Sequence, residues 1–362
     1  TLGNMGYRRN DVRSVVVTGI LSANDLTDLF ALPNLYYADL SNAKTTSSRL
    51  VLSGTKLCEV KLPKGNYYLS MTKNDYLIGN LVIPEGVNGL SYNGNRHTSV
   101  VCPSTLMKLD DSSFGRIIHE ADFSACKGLQ EISGFYNCSN LESLLLPSSL
   151  EILSGVSGAP IKHIDIPNSV HTLTAFAGCD LEEIILPESL IELGSIHDMA
   201  KLKNIDASKA VSLKTINSGT FDGCPFVLNV DFSNCPLTYF YGFNGGRDVV
   251  PNTRLVVMGG TKYPAPKIAN KLSSVKMPST LENIEGFNNS PMLKEVNLEH
   301  CYRLKEIEGF ENCIQLEKIA IPSATTTFNL TLNGCDNLKT IRCASLQPPA
   351  TSASLDSEKL KQ

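Results

Sequence analysis

The chain has 362 residues, of which 42% are apolar, enough for a large core and, by length alone, for two or three domains. Its net charge of −4 gives no basic surface of the kind that normally holds nucleic acid. No run of about 18 consecutive apolar residues exists to cross a membrane as a helix. The opening "TLGNMGYRRN" has no apolar signal-peptide core, which by itself decides no compartment.

Taken from its start, the chain first shows "VVVTG", then "SANDLTDLFAL" over 22–32. The latter predicts one short helix, with Ser22 as N-cap and Asp25 three residues on, the spacing of a capping box. After "ADLSNA" comes a tyrosine-rich stretch, "GNYYLSMTKNDYLIGN". Tyr67, Tyr68 and Tyr76 there have two readings: a recognition patch, since aromatic side chains dominate binding hot spots, or core packing within irregular coils.

From here the chain repeats itself. "LESLLLPSSLEILS", "IKHIDIPNSVHTLT" and "LEEIILPESLIELG" follow one another, each closing an apolar-x-apolar-x segment on a proline. That anchor is proline at Pro63, Pro84, Pro103, Pro147, Pro167, Pro187, Pro278 and Pro322, and serine at Ser41, Ser124, Ser208 and Ser233. Glu299 fills it in "VNLEHC". Thr18 and Ala344 are the terminal copies, and "LVVMGG" near Gly259 is a degraded one. These 16 anchors recur about every 22 residues, within the period range of solenoid repeats.

One copy explains the period. In Leu181-x-x-Ile184-x-Leu186 the last two apolar residues share one face of a short strand, and Glu183, Ile185 and Pro187 share the other. Pro187 lacks an N–H and ends the strand, while Leu190 and Leu193 return apolar groups to the interior before Gly194 turns the chain. A single coil cannot bury its apolar side, but stacked coils can. With strands about 4.8 Å apart, 16 coils predict one parallel sheet roughly 75 Å long. Short extended or 3₁₀ pieces are expected on its far side. The stretch 239–267, with "GFNGGRDVVPNTR", reads as an inserted loop, and 347–362 as a loosely held Pro- and Ser-rich tail.

The copies "IILPESLIELG" and "IDIPNSVHTLT", with "FYNC", "FDGC" and "FENC" between such units, resemble the BspA-like, or Treponema-type, leucine-rich repeat family of anaerobic gut and oral bacteria. The opening, in which a Val-Thr-Gly coil leads through a short helix to an Asp-Leu-Ser coil, is similar to the start of surface proteins of that family. The resemblance covers nearly the whole chain. It implies a right-handed leucine-rich repeat solenoid over 1–362, with a cap at about 1–40, about 16 coils over 12–346 and one parallel sheet on its concave face. It also implies secretion to a bacterial cell surface, often on a lipid anchor, and adhesion to host matrix proteins or other cells.

Eleven cysteines, an odd number, cannot all pair internally. Cys126, Cys138, Cys301, Cys313 and Cys335 each stand three residues before a leucine, so they fill one recurring slot and read as buried, thiol-bearing ladder residues against disulfides or metal ligands. No Cys-x-x-Cys occurs to support zinc. None of the common hydrolase, zinc-protease, phosphate-loop or calcium-loop motifs is present. Of six histidines only His163 takes an outward strand position, two residues before Asp165; a solvated surface pair is the expectation and no catalytic residue or cofactor is assigned.

The stronger outward pattern is acidic. Asp39, Asp122, Asp165, Asp206 and Asp231 stand two before the anchor, and Glu59, Glu120, Glu183 and Glu295 four before it. Asp206 and Asp231 fall in adjacent coils, so the pattern predicts carboxylates about 5 Å apart. The strip is read either as a receptor for a cation or basic partner or as a local turn in which each Asp bonds its own backbone. The candidate binding residues are therefore Asp122, Asp165, Glu183, Asp206 and Asp231 on the concave strip, and Tyr67, Tyr68 and Tyr76. A protein partner is the first expectation, a glycan the second, and a structural spacer presenting another domain the third.

Overall fold

The computed structural model describes residues 8–94, 96–243, 271–323, 325 and 327–343. The chain divides into two compact units, Thr1–Pro167 and Asn168–Gln362. Both are built from short parallel strands whose partners lie one coil away, as the cross-strand bonds at separations of 21, 22 and 23 residues record.

The repeat behaves at its core as its spacing predicts. Leu181, Ile184, Leu186, Leu190 and Leu193 are all buried, and Glu183 and Ile185 face out. Pro187 is buried instead of facing out with Ile185, because the chain has already turned there: its carbonyl accepts from the Leu190 N–H at 3.2 Å. Each of these leucines removes roughly 1.5–3 kcal/mol worth of apolar surface from water, and no coil achieves that alone.

The expected single sheet is instead two ladders. The segment before the anchor forms a leading strand, and the second apolar pair forms a trailing strand, so Glu183–Ile185 is followed by Glu192–Gly194. Leading strands pair with leading strands and trailing with trailing, always in parallel. The spacing predicts only that Leu190 and Leu193 turn inward, because Leu190-x-x-Leu193 lacks strand alternation. Stacking makes it a strand, since each copy meets a parallel neighbour that satisfies its backbone.

In the first unit the helix Ala23–Phe30 stands where the capping signal put it. Ser22 Oγ accepts from the Asp25 N–H at 3.3 Å, and Asp25 Oδ2 accepts from the Ser22 N–H at 2.8 Å. Beyond the helix, trailing strands Arg49–Ser53, Tyr67–Thr72, Val87–Asn93 and Lys108–Ser113 pair in order. Leading strands Ile78–Val82, Arg96–Val101, Glu120–Asp122 and Ser143–Leu145 form the other ladder.

In the second unit the trailing ladder runs through Thr172–Thr174, Glu192–Gly194, Thr215–Ile216, Tyr239–Gly242, Asn283–Gly286, Glu306–Gly309 and Thr327–Leu330. Tyr239–Gly242, which the sequence places at the opening of an insert, is thus a regular strand. It pairs directly with Asn283–Gly286, and the leading strand Asn229–Asp231 pairs directly with Ser274–Lys276. No coil stands between them in either ladder. The degraded copy near Gly259, the loop body from 244 and the tail 347–362 lie outside the described residues.

Three columns hold successive coils together. The first is cysteine. Cys126, Cys138, Cys179, Cys224, Cys235, Cys301, Cys313 and Cys335 are buried free thiols. Several donate Sγ–H to a carbonyl one coil earlier: Cys224 to Ile196 at 2.9 Å, Cys313 to Phe287 at 3.0 Å, and Cys335 to Phe310 at 2.9 Å. A residue small enough for the core that also carries a donor explains the recurrence. Burial pushes the Cys301 thiol up to about 12, so it stays protonated. The second column is aromatic: Phe240, Phe287 and Phe310 stack at centroid distances of 5.5 Å. The third is glycine. A Cβ on Gly286 or Gly309 would lie 2.0 Å from the carbonyl oxygen of the glycine one coil before, and their φ values of 135° and 115° suit no L side chain.

Candidate functional site

The outward residues of the two ladders carry the polar groups on which the sequence pattern places a site. On the leading ladder Asp122, Asp206 and Asp231 are each held by their own turn. Asp122 Oδ1 accepts from the Ser124 N–H at 2.8 Å and its hydroxyl at 2.6 Å. Asp231 does the same with Ser233, at 3.1 and 2.6 Å, and Asp206 accepts from the Ser208 N–H at 2.9 Å. The local-turn reading therefore describes the geometry of these three.

Cations and amides from the next coil complete the compensation. Lys276 Nζ lies 2.9 Å from Asp231, Lys61 Nζ 3.1 Å from Asp39, and Lys318 Nζ 2.8 Å from Glu295. Asn204 Nδ2 donates to Glu183. The Ser41 hydroxyl and N–H, followed by Lys61, hold the Asp39 carboxyl down at about 2. Lys276 first and Ser233 second lower Asp231, and the Ser208 hydroxyl and N–H lower Asp206.

The strip is not one acidic cluster. Asp206 sits in register opposite Ile185, and Asp231 opposite Lys276. No ladder hydrogen bonds join the strands that carry Asp206 and Asp231, which belong to separate short sheets. Asp206 and Asp231 thus each have a non-acidic in-register partner, Ile185 and Lys276. Asp122 stands between Val101 and Leu145. Asp165 lies on a segment with no assigned strand, and its Oδ1 is 3.0 Å from His163 Nε2. Both side chains are open to water, at 96% and 78% exposure, so the pair is a solvated one.

The tyrosine patch does not assemble. Tyr67 is fully buried, with its hydroxyl donating to the Pro63 carbonyl at 2.9 Å. Tyr68 is half-buried, lies 5.1 Å from the Arg49 guanidinium and donates to Asp110 Oδ2 at 3.1 Å. Only Tyr76 is freely exposed. Alternation explains the split, because Tyr67 and Tyr68 are neighbours on one strand and point to opposite faces.

The trailing ladder of the second unit carries an outward group that sequence reasoning missed. Tyr239, Asn283 and Glu306 stand in one row across adjacent strands, and Tyr241, Glu285 and Glu308 in the row two residues on. The Tyr239 and Tyr241 rings are within 6° of parallel, with centroids 6.4 Å apart. Burial first, and then the charges of Glu308 and Glu306, raise the Glu285 carboxyl above its usual range. Burial and then Glu285 raise Tyr241. The signal was present in the sequence: "YFYGF", "NIEGF" and "EIEGF" are one pentapeptide repeated, with the two outward places taken by Tyr, Asn or Glu and the inward Gly-Phe kept.

Paired parallel ladders, a buried leucine column and a repeating turn define a parallel-strand β-solenoid of the leucine-rich repeat class. The chain matches the family model described as "BspA type Leucine rich repeat region (6 copies)" over residues 87–195, 156–243 and 268–354. These stretches take in more than half of its length, and the chain belongs to that family.

Among solved structures, the chain is similar to a leucine-rich repeat protein of Bacteroides ovatus, with 14% identity and a TM-score of 0.50, covering 91% of this chain and 86% of that one. A leucine-rich repeat protein of Eubacterium ventriosum matches with 17% identity and a TM-score of 0.39, over 96% and 87% of the two chains. A leucine-rich cell surface protein of Faecalibacterium prausnitzii matches with 16% identity and a TM-score of 0.33, over 83% and 89%. The first of these likenesses concerns the fold alone. No curated protein matches the chain in sequence.

Proposed function

We propose that this chain is a non-enzymatic recognition protein of the bacterial cell surface that binds a protein partner through the outward faces of its ladders. The observation that carries this reading is on the first unit's leading ladder. Val82, Val101 and Leu145 stand outward around Asp122 at 65%, 38% and 44% exposure. Scattered apolar residues on a surface are ordinary, but three of them in a row of four coils resemble the apolar centre and polar rim of a protein interface. Membership of the BspA-type family supports the same reading, as does a surface made of repeated shallow rows. Surface display, with anchoring by lipid, belongs to the same proposal.

The test is a binding screen of the purified chain against immobilised host matrix proteins and a glycan array. A matrix protein that binds, and whose affinity falls at least tenfold with Val101→Lys and Leu145→Lys together, is the expected result. Glycan hits without any protein hit would overturn the partner class. A protein hit untouched by the double variant would move the interface off this face.

A further inference from the structure

The outward carboxylates are not all treated alike by the fold. Asp122, Asp206, Asp231 and Glu183 on the leading ladder each meet a serine turn, a lysine or an amide, as Asp231 meets Ser233 and Lys276. The lysine that flanks the trailing strand Glu306–Gly309 is engaged in the same way, Lys305 with Glu282 at 2.7 Å. Glu285, Glu306 and Glu308 are the contrast: among the described residues no ion pair closes on any of them. Glu306 and Glu308 share one strand face, about 7 Å apart, and Glu285 is the in-register neighbour of Glu308, about 5 Å away. Like charges so close cost stability unless a partner neutralises them.

Beside them are two outward tyrosines with parallel rings, on the next strand of the same ladder. Carboxylates alone favour any cation, and rings alone favour any flat apolar surface. Together they select a group that is planar, cationic and rich in N–H donors. Guanidinium satisfies all three: its fork matches a carboxylate with two parallel bonds, and its face stacks on an aromatic ring. The backbone holds these side chains rigidly, because Gly242, Gly286 and Gly309 let the three strands touch one another immediately beneath them.

We infer that Tyr239, Tyr241, Glu285, Glu306 and Glu308, with Asn283 between them, form a docking site for an arginine-bearing segment of a partner protein. This rests on the proposed role in protein recognition and names the chemistry of one of its contacts. Charge complementarity selects the occupant: the patch is anionic and, among the described residues, uncompensated, and repeats at the spacing of a strand. A partner segment lying across the ladder meets a tyrosine and then two glutamates in successive coils.

The experiment uses the full chain and a defined probe, a twelve-residue peptide of alternating Arg and Ser, titrated at physiological salt. The same peptide with citrulline for Arg serves as its neutral counterpart, and lysine and oligosaccharide probes run in parallel. The expected result is binding of the arginine peptide, none of the citrulline peptide, and a weakening of at least tenfold with Glu285→Gln plus Glu308→Gln. Tyr241→Leu weakens arginine binding by several-fold more than lysine binding. Asp206→Asn plus Asp231→Asn, on the other ladder, leaves affinity within twofold, which separates a site from the net negative charge of the chain.

No arginine binding, equal loss from the two double variants, or binding of oligosaccharide alone overturns the inference. A matrix protein captured equally well by Glu285→Gln plus Glu308→Gln overturns this site while the broader function stands. Arginine-peptide binding by a chain that captures no matrix protein leaves the site standing and sinks the partner class. Circular dichroism of each variant establishes that it is folded.

Discussion

The leading and trailing ladders are made by the same coils, yet Asp231 on one and Glu285 on the other meet opposite surroundings. Asp231 on the leading ladder is bonded by Ser233 and paired with Lys276. Glu285 on the trailing ladder is partly buried and faces Glu308 in register, and its proton is held more tightly, by burial first and by Glu308 second. At Asp122, Asp206 and Asp231 the leading strand runs into a serine turn whose N–H reaches the carboxylate. The strands that carry Tyr241, Glu285 and Glu308 run instead into Gly-Phe, where the glycine backbones touch. Charge is therefore absorbed at these leading positions and left available at these trailing ones.

The largest test of that difference strikes the glycine column. Gly309→Ala places a methyl group 2.0 Å from the Gly286 carbonyl oxygen at a φ of 115°. The expected cost is about 3–5 kcal/mol, measured as the shift in urea unfolding. Ser233→Ala at the leading anchor removes a hydroxyl bond to an exposed carboxylate and costs about 1 kcal/mol or less. If both substitutions cost the same, the contrast between a locked ladder and a turn-capped one fails.

An inward titratable group gives the next largest effect. His97 is 3% exposed, and its Nδ1 lies 3.0 Å from the Tyr92 hydroxyl. Burial lowers its pKa from 6.5 to about 4. Between those values the unfolded chain binds a proton that the folded chain refuses, so stability falls as pH falls, by roughly 3 kcal/mol at pH 4. His97→Gln keeps a hydrogen-bonding side chain and should remove this part of the pH dependence. Urea midpoints at pH 7 and pH 4.5 for the two proteins test it; parallel curves would show that His97 titrates normally.

How much of this was legible in advance follows the same division. The interior was readable because periodicity is a statement about burial: the repeated leucines, the recurring cysteines and the Ser22–Asp25 cap stand where spacing placed them. The second ladder was not, because Leu190-x-x-Leu193 has no alternation of its own and becomes a strand only against another copy. Outward chemistry was legible as composition but not as pairing. The lysine that neutralises Asp231 lies 45 residues on, across an interruption of the repeat. The same interruption hid Tyr239 and Tyr241, whose alignment with Asn283 and Glu285 appears only once "YFYGF" and "NIEGF" are set in register.

The smallest effect separates the two faces most directly, because it should change sign. A carboxylate whose folded pKa is lowered contributes stability above its ordinary range and loses it as pH falls; Asp231 is such a group. A carboxylate whose folded pKa is raised does the reverse: its charge opposes folding at neutral pH, and the penalty disappears as pH falls; Glu285 is such a group. At pH 7, Asp231→Asn should therefore destabilise the chain and Glu285→Gln should stabilise it, each by roughly 0.2–1 kcal/mol given their exposure to water. At pH 3, where both carboxylates are protonated in the unfolded chain, the two differences should shrink. Thermal or urea unfolding at both pH values decides it. A stabilising Glu285→Gln that also weakens arginine-peptide binding would mean that the chain sacrifices stability on this face to keep charge available for a partner. A destabilising Glu285→Gln would mean instead that Glu285 is held by its surroundings as Asp231 is, and the two ladders would be electrostatically alike.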